Sequence, residues 1–246
     1  MDEQLGLLLR EVDRKKTELA EKPNLSPDAD EAYREQFLYR SIYHNNAIEG
    51  NQLTQEEIQR MLQGNEVIPN KPLSDHIAVV GCYDAIRLAR RYVAQQTRIT
   101  EHEIRNLHYR MLISDQEASG VYRNYNLMIN GHRPTSYEKI AYKMLQLSEA
   151  KPSECVHPIE AIAFYHLRFE KIHPFGDGNG RVGRLIINLM LEQQGYPPVI
   201  IKLDDRATYY DALNAYDGLD GKPQVKPMQI LLAKLISEQL DELLAL

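Results

Sequence analysis

Apolar residues recur along most of this chain at the three- and four-residue spacing of an amphipathic helix, and almost nowhere at the two-residue spacing of a strand. Leu5, Leu8, Val12 and Leu19 form a first stripe. Ser26-Pro27-Asp28 predicts the next helix start, with a capping hydroxyl followed by proline at the first helical position. That helix is expected to pass Tyr39 and Ile42 and to end at Gly50. Thr54 with Glu57, and Thr100 with Glu103, have the spacing of a reciprocal capping box, so helices begin there too. Ser74 opens another, through Val79, Tyr83, Ile86 and Leu88, and further helices start at about Ser136, Pro158, Asp205 and Pro227. The exception lies at 121–133. Val121-Tyr122-Arg123 and Leu127-Met128-Ile129 are β-prone and lead into Asn130-Gly131, a tight-turn pair, which predicts a short hairpin or flap. The reading is an all-α helical bundle with one β-hairpin: an accessory helix over 1–25 and a core over 26–246.

One stretch breaks the pattern in a way that suggests chemistry. His173-Pro174-Phe175-Gly176-Asp177-Gly178-Asn179-Gly180-Arg181-Val182-Gly183-Arg184 follows an apolar helix and precedes Leu185-Ile186-Ile187 and Leu189-Met190-Leu191, a run apolar nearly all round and therefore a core helix. Gly176, Gly178 and Gly180 let the chain turn its N–H groups towards one point, and the next helix adds its unpaired amides and positive end. The loop is thus an anion site. Asp177 is an oxygen ligand suited to Mg²⁺, which binds through one or two carboxylates plus substrate phosphates. Arg181 and Arg184 share a helix face and can grip successive phosphates, and Asn179 can donate to a phosphate oxygen. His173 is the natural general base, since imidazole titrates near neutrality. These parts together describe in-line attack on phosphorus.

Composition narrows the classes. The net charge of −6 argues against nucleic acid as the main partner, while leaving a nucleotide substrate open. Cys82 and Cys155 lack metal-like spacing and read as free thiols in a reducing compartment. No stretch is apolar enough to span a bilayer and the N-terminus has no signal-like run, so the expected location is cytoplasmic, without membrane attachment. The scattered histidines His44, His76, His102 and His157 form no ligand cluster.

The window 173–184 resembles the signature of the Fic family, HPFxDGNGRxxR, at every specified position. The run Gln194–Ile201 and Arg206-Ala207-Thr208-Tyr209-Tyr210 are similar to the stretch C-terminal to the signature in relatives. The resemblance spans about 35–240. It implies a Fic-type helical core that transfers AMP from Mg-ATP to a Ser, Thr or Tyr hydroxyl of a protein target. His173 would be the base and Asp177 the Mg²⁺ ligand. Asn179, Arg181 and the loop amides would hold the α- and β-phosphates, and Arg184 the γ-phosphate. Tyr209 and Tyr210 would line the nucleotide pocket, with Asp217 or Asn214 near the purine. The flap would clamp the target's main chain, with Leu127, Met128 and Ile129 against the acceptor residue.

Members restrained by an N-terminal helix carry [S/T]xxxE[G/N]. Here the segment (about 41–51) reads Asn45-Asn46-Ala47-Ile48-Glu49-Gly50, so Glu49 would pair with Arg184 and act as a brake. Asn45 departs from the Ser or Thr of that pattern, with an amide that can donate and accept as a hydroxyl does. Two other uses of the same residues stay open: hydrolytic removal of AMP with Glu49 positioning water, and a non-catalytic nucleotide-binding module. The intact His173 and Asp177 count against the module. A homo-oligomer is compatible with the sequence.

Overall fold

The computed structural model describes residues 3–129, 131–150, 157–218 and 222–246. Among these residues ten α-helices succeed one another: α1 (Glu3–Glu21), α2 (Pro27–Ala47), α3 (Gln55–Gly64), α4 (Leu73–Ala94), α5 (Glu101–Met111), α6 (Ile140–Glu149), α7 (Pro158–Ile172), α8 (Asn179–Gln193), α9 (Arg206–Asp217) and α10 (Lys226–Ala245). The fold is all-α. The helix starts lie where the caps put them: the Ser26 hydroxyl accepts from the Ala29 N–H, and Thr54–Glu57 and Thr100–Glu103 both close reciprocal capping boxes. Near Ser74 the start shifts by a residue, with Leu73 the first helical position and Pro72 in the cap. Cys155 lies outside the described residues, and Cys82 is a buried free thiol. No described helix is long and apolar enough to cross a membrane.

Helix α8 is the axis of the bundle because its apolar residues face every direction. Val182, Leu185, Ile186 and Leu189 join a cluster with Ile42, Val79, Ile104, Leu107, Met144 and Phe169. Ile187 and Leu191 join a second, with Leu5, Val12, Ile159, Tyr209, Leu232 and Ile236. Helices α4, α5 and α7 pack directly on it. The first helix is part of this arrangement: α1 lies along α10. Lys15, 6 % exposed, anchors it by donating to Ser237 Oγ at 2.7 Å and to Asp241 Oδ2 at 2.6 Å. Lys22 donates to the Leu243 and Leu244 carbonyls, neutralising the C-terminal end of α10.

The predicted hairpin does not form as paired strands. Among the described residues the segment makes one antiparallel bridge, Ile129 with His132, and Asn130 of the turn lies outside them. The reason is competition for backbone partners. The Arg123 N–H donates to the Pro174 carbonyl at 3.0 Å and the Thr135 N–H to the Lys171 carbonyl at 3.1 Å, so both flanks of the segment bond to the end of α7 rather than to each other.

Val12 is fully buried between α1 and its neighbours, whereas Leu7 is 56 % exposed on the same helix. Val12→Ala is expected to lower the unfolding free energy by about 2 kcal/mol and Leu7→Ala by less than about 0.5, read from urea titrations.

Candidate active site

The site is built where α7 ends and α8 begins. His173 closes α7 in the left-handed region, with φ +47°, and its N–H still donates to Phe169. The chain then dives: Phe175 is fully buried and stacks on the His108 ring, centroids 3.7 Å apart. Gly178, at φ +77°, caps α8. A side chain there would also press on His108 Nε2, 3.3 Å from where its Cβ would sit. The loop therefore needs glycine on two counts, backbone sign and space. It leaves the start of α8 at an open cleft of about 260 Å³.

His173, Gly176, Asp177, Gly178, Asn179, Gly180 and Arg184 line that cleft together with Glu49, Tyr209, Tyr210, Asn214 and Asp217. Two predicted phosphate donors are used differently. Asn179 is 2 % exposed, and its side chain spans the loop: Oδ1 accepts from the Phe175 N–H at 3.0 Å and Nδ2 donates to the Phe175 carbonyl at 2.9 Å. It holds the loop's shape instead of reaching into the cleft. Arg181 is also off the cleft wall, and its Nη2 donates to Asp177 Oδ2 at 3.0 Å. Of the three flap residues, Ile129 lines the cleft, while Leu127 and Met128 do not. Tyr209 is buried, its hydroxyl 2.9 Å from His166 Nε2, and Asp217 accepts from Lys171 at the cleft's edge.

Glu49 and Arg184 meet, with Oε1 2.7 Å from Nη2. Arg184 is buried, and Asn45 takes two more of its donors: Nε to Oδ1 at 2.7 Å and Nη2 to the backbone carbonyl at 3.0 Å. Asn45 Nδ2 in turn donates to the Arg181 carbonyl at 3.3 Å. The amide at this position thus accepts from Arg184 and donates to the Arg181 carbonyl of α8 at the same time. Glu49 also lies over the mouth of α8. A Cβ on Gly180 would sit 2.7 Å from Glu49 Oε1 and 3.0 Å from Arg184 Nη1, so a side chain there would displace the carboxylate from its place. The carboxylate's unfavourable place at the end of α2 is offset by the positive end of α8 and by Arg184.

Three residues outside the signature shape the site, and no local pattern announces them. His108 Nδ1 accepts from the Gly120 N–H at 2.8 Å, which makes Nε2 the donor to the Asp177 carbonyl at 2.9 Å. Arg123 is buried against the end of α7 and donates to the His173 carbonyl at 2.8 Å. Glu170, one turn before His173, places Oε2 3.7 Å from His173 Nδ1. Burial pushes the Glu170 carboxyl up to about 7, against the pull of Arg184. Burial, helped by the Arg123 charge, pushes His173 down to about 4, so its ring is neutral and able to accept a proton at pH 7.

Asp177 suits a divalent cation shared with a ligand. Its carboxylate is 73 % exposed at the cleft, and the described residues hold no group of three His, Cys, Asp or Glu that could bind a metal by themselves. A cation there would take one protein carboxylate and complete its shell with phosphate oxygens and water, as Mg²⁺ does.

Residues 98–191 match the profile of the Fic/DOC family. The chain is 33 % identical to the protein adenylyltransferase Fic of Nematostella vectensis over 224 residues, 89 % of this chain and 52 % of that protein. The chain belongs to the Fic/DOC family. Its fold superimposes on a Fic-1 fragment from C. elegans with TM-score 0.86 and 27 % identity, covering 97 % of this chain and 71 % of that one. A Fic domain-containing signalling protein from Bacteroides thetaiotaomicron shares the fold at TM-score 0.84 and 24 % identity, covering 96 % and 95 %. The chain spans about half the length of the Nematostella relative and less of the Drosophila persimilis one, 39 %.

The buried imidazoles make a pH prediction. Folded His108 and His173 take up a proton only near pH 4 and His166 near 3, all three chiefly because of burial, whereas in the unfolded chain they do so near the ordinary 6.5. The unfolded state therefore binds more protons in that interval. The stabilisation is complete above about pH 6.5 and drains as pH falls towards 4. Glu170 works in the opposite sense between about 7 and 4.5 and offsets one of the three. The melting temperature should fall steadily from pH 6.5 to 4.5, a trend that scanning calorimetry would read directly.

Proposed function

We propose that this chain transfers the AMP part of Mg-ATP to a Ser, Thr or Tyr hydroxyl of a protein, releasing pyrophosphate, and that Glu49 restrains it. The observation that supports this most is the convergence of a neutral His173 and the open amide end of α8 on one cleft, with Glu49 on Arg184 at its rim. His173 faces Glu170 through Nδ1, which leaves Nε2 to take the acceptor's proton. The acceptor oxygen bonds to the α-phosphorus as the bridging oxygen to the β-phosphorus departs with its electron pair. The amide of Gly180 stabilises the charge that spreads over the phosphoryl oxygens, while the Gly178 N–H donates to Asp177 Oδ1 at 2.6 Å and holds that carboxylate at the loop. Asp177 would hold Mg²⁺, which neutralises the phosphate charge and the leaving pyrophosphate.

Arg184 has an unpartnered Nη1 buried beside Gly180, so it is placed to grip a terminal phosphate once the carboxylate is gone. While Glu49 occupies the same end of α8, a triphosphate meets both a negative charge and an occupied arginine. Restraint is therefore electrostatic and local.

The test supplies ATP labelled at the α- or the γ-phosphate to the wild-type protein and to Glu49→Gly, with lysate proteins as acceptors. Label should transfer from the α position only, and about 10-fold or more faster with Glu49→Gly. His173→Ala in that background should lower transfer by about 10²-fold or more. Transfer from the γ position would refute the reading. Loss of AMP from pre-modified protein with wild type, absent in Glu49→Gly, would reverse the assigned direction.

Magnesium gives a separate check. Titration calorimetry with Glu49→Gly should show Mg-ATP binding that Asp177→Ala weakens about 10-fold or more, and ATP with a chelator should bind equally weakly to both.

A further inference from the structure

Arg123 is a buried guanidinium of a different kind from Arg184. At 5 % exposure it has no carboxylate partner among the described residues, and its fork is spent on backbone carbonyls. Nε donates to His173 at 2.8 Å and Nη1 to Tyr125 at 2.6 Å, while Nη2 donates to Thr135 and, at 3.3 Å, to Ile172. Its own N–H donates to Pro174. One residue thereby touches the end of α7, the turn at His173, and both flanks of the segment 125–135. The first two are easily explained, since the last carbonyls of a helix lack internal partners and carry its negative end. The other two are not, because Tyr125 and Thr135 lie outside any helix.

Burying a charge without a counter-ion is unfavourable, and an apolar residue would fill the same space at less cost. What an apolar residue lacks is four donors in a rigid plane. Those donors join two parts of the cleft that share no continuous secondary structure: His173 on one side, and on the other Ile129, His132 and Pro134, which line the cleft from the 125–135 segment. That segment has little holding it otherwise. Its one described bridge is Ile129 with His132, and its other described ties run to Lys171, to Tyr137 and, from His132 Nδ1 at 3.9 Å, to Asp217.

We infer that Arg123 is a positioning residue for the transfer reaction: it locks the left-handed turn at His173 to the 125–135 segment, so that the base and the wall against which an acceptor hydroxyl is presented form one rigid unit. Arg123 lies off the cleft wall and away from the phosphate cradle at 178–184. Its loss should therefore disturb the approach of the acceptor while leaving nucleotide binding intact. The inference rests on reading the site as an AMP transferase, and its structural half is testable without any activity.

The experiment places Arg123→Gln and Arg123→Lys in the Glu49→Gly protein. Arg123→Gln should lower kcat about 30-fold with KM for Mg-ATP changed less than about 3-fold. Arg123→Lys, which keeps the charge but not the fork, should recover part of the loss and fall about 3- to 10-fold below the parent. In hydrogen exchange, the amides of Ile129, His132 and Thr135 should exchange about 10-fold faster in both variants, with α8 still protected. A kcat within about 3-fold of the parent in Arg123→Gln, or equal losses of kcat and nucleotide affinity, would overturn the inference. Unchanged exchange at those amides would do so too. Should Arg123→Gln fail to fold, Arg123→Lys decides by the same two readouts. If the Glu49→Gly parent itself transfers no AMP, the transferase reading fails while the exchange data still judge the lock.

Discussion

Helix α8 has to be buried along its length and open at its beginning. Its apolar residues serve two clusters at once, so the bundle cannot form without it. Yet the turn before it, capped by Gly178 in the left-handed region, keeps its first amides out of the core. A buried helix with an exposed positive end calls for an anion there. In this structure the carboxylate of Glu49 answers that demand, with Oε1 2.7 Å from where a Cβ on Gly180 would sit. In the proposed reaction the phosphates of ATP answer it. On the proposed reading, restraint and productive phosphate binding are two solutions of one electrostatic requirement, and with Glu49 on Arg184 the nucleotide sits in a pose that cannot react.

The polar groups behind the cleft form a connected set. Arg184 is held by Asn45 and Glu49, Asn45 reaches the Arg181 carbonyl, and Arg181 holds Asp177. On the other flank, His166 Nδ1 and Glu170 Oε1 are buried without partners beside Gly183, where a Cβ would collide with the Glu170 carboxyl. Such a network is sensitive to its members' charge states, because in a low-dielectric interior an unpaired polar group is not screened. Glu170 is the member nearest its midpoint at neutral pH, since burial pushes its carboxyl up to about 7.

How far the sequence carried depends on how local each determinant is. Helix starts were legible because a cap is a few residues long: Ser26, Thr54 and Thr100 each act within three positions. The active-site loop was legible as a place, since its glycines, His173 and Asp177 sit in one window. Which donors face the cleft was not. Asn179 and Arg181 have the right chemistry for phosphate, but in this structure the Asn179 amide is bonded to Phe175 and Arg181 Nη2 to Asp177, and residue type does not reveal that. His108 and Arg123 lie some 50 or more residues before the loop they support, with no periodicity to mark them. The hairpin is reduced to the single bridge Ile129–His132 for a related reason: β-propensity describes a preference to pair, not the partner, and the flanks of the segment bond to the end of α7.

The pairing geometry also says how the proposed brake could release. Arg184 is 7 % exposed at its side chain, whereas Glu49 is 38 % exposed. Rotating Glu49 away would break one ion pair at the rim and would leave Asn45 holding the arginine's Nε, so the guanidinium would keep its orientation. Helix α2 would not need to leave the bundle, where Ile42 and Ile48 are fully buried. A brake that required α2 to unpack would cost the core those contacts, and its release would approach local unfolding. A brake that swings on one partly solvated carboxylate costs far less, which makes it responsive to modest signals such as the binding of a competing anion or a partner on the rim. Asn45 is what separates these two cases. By anchoring Arg184 independently of Glu49, it divides a single buried salt bridge into a permanent half and a releasable one.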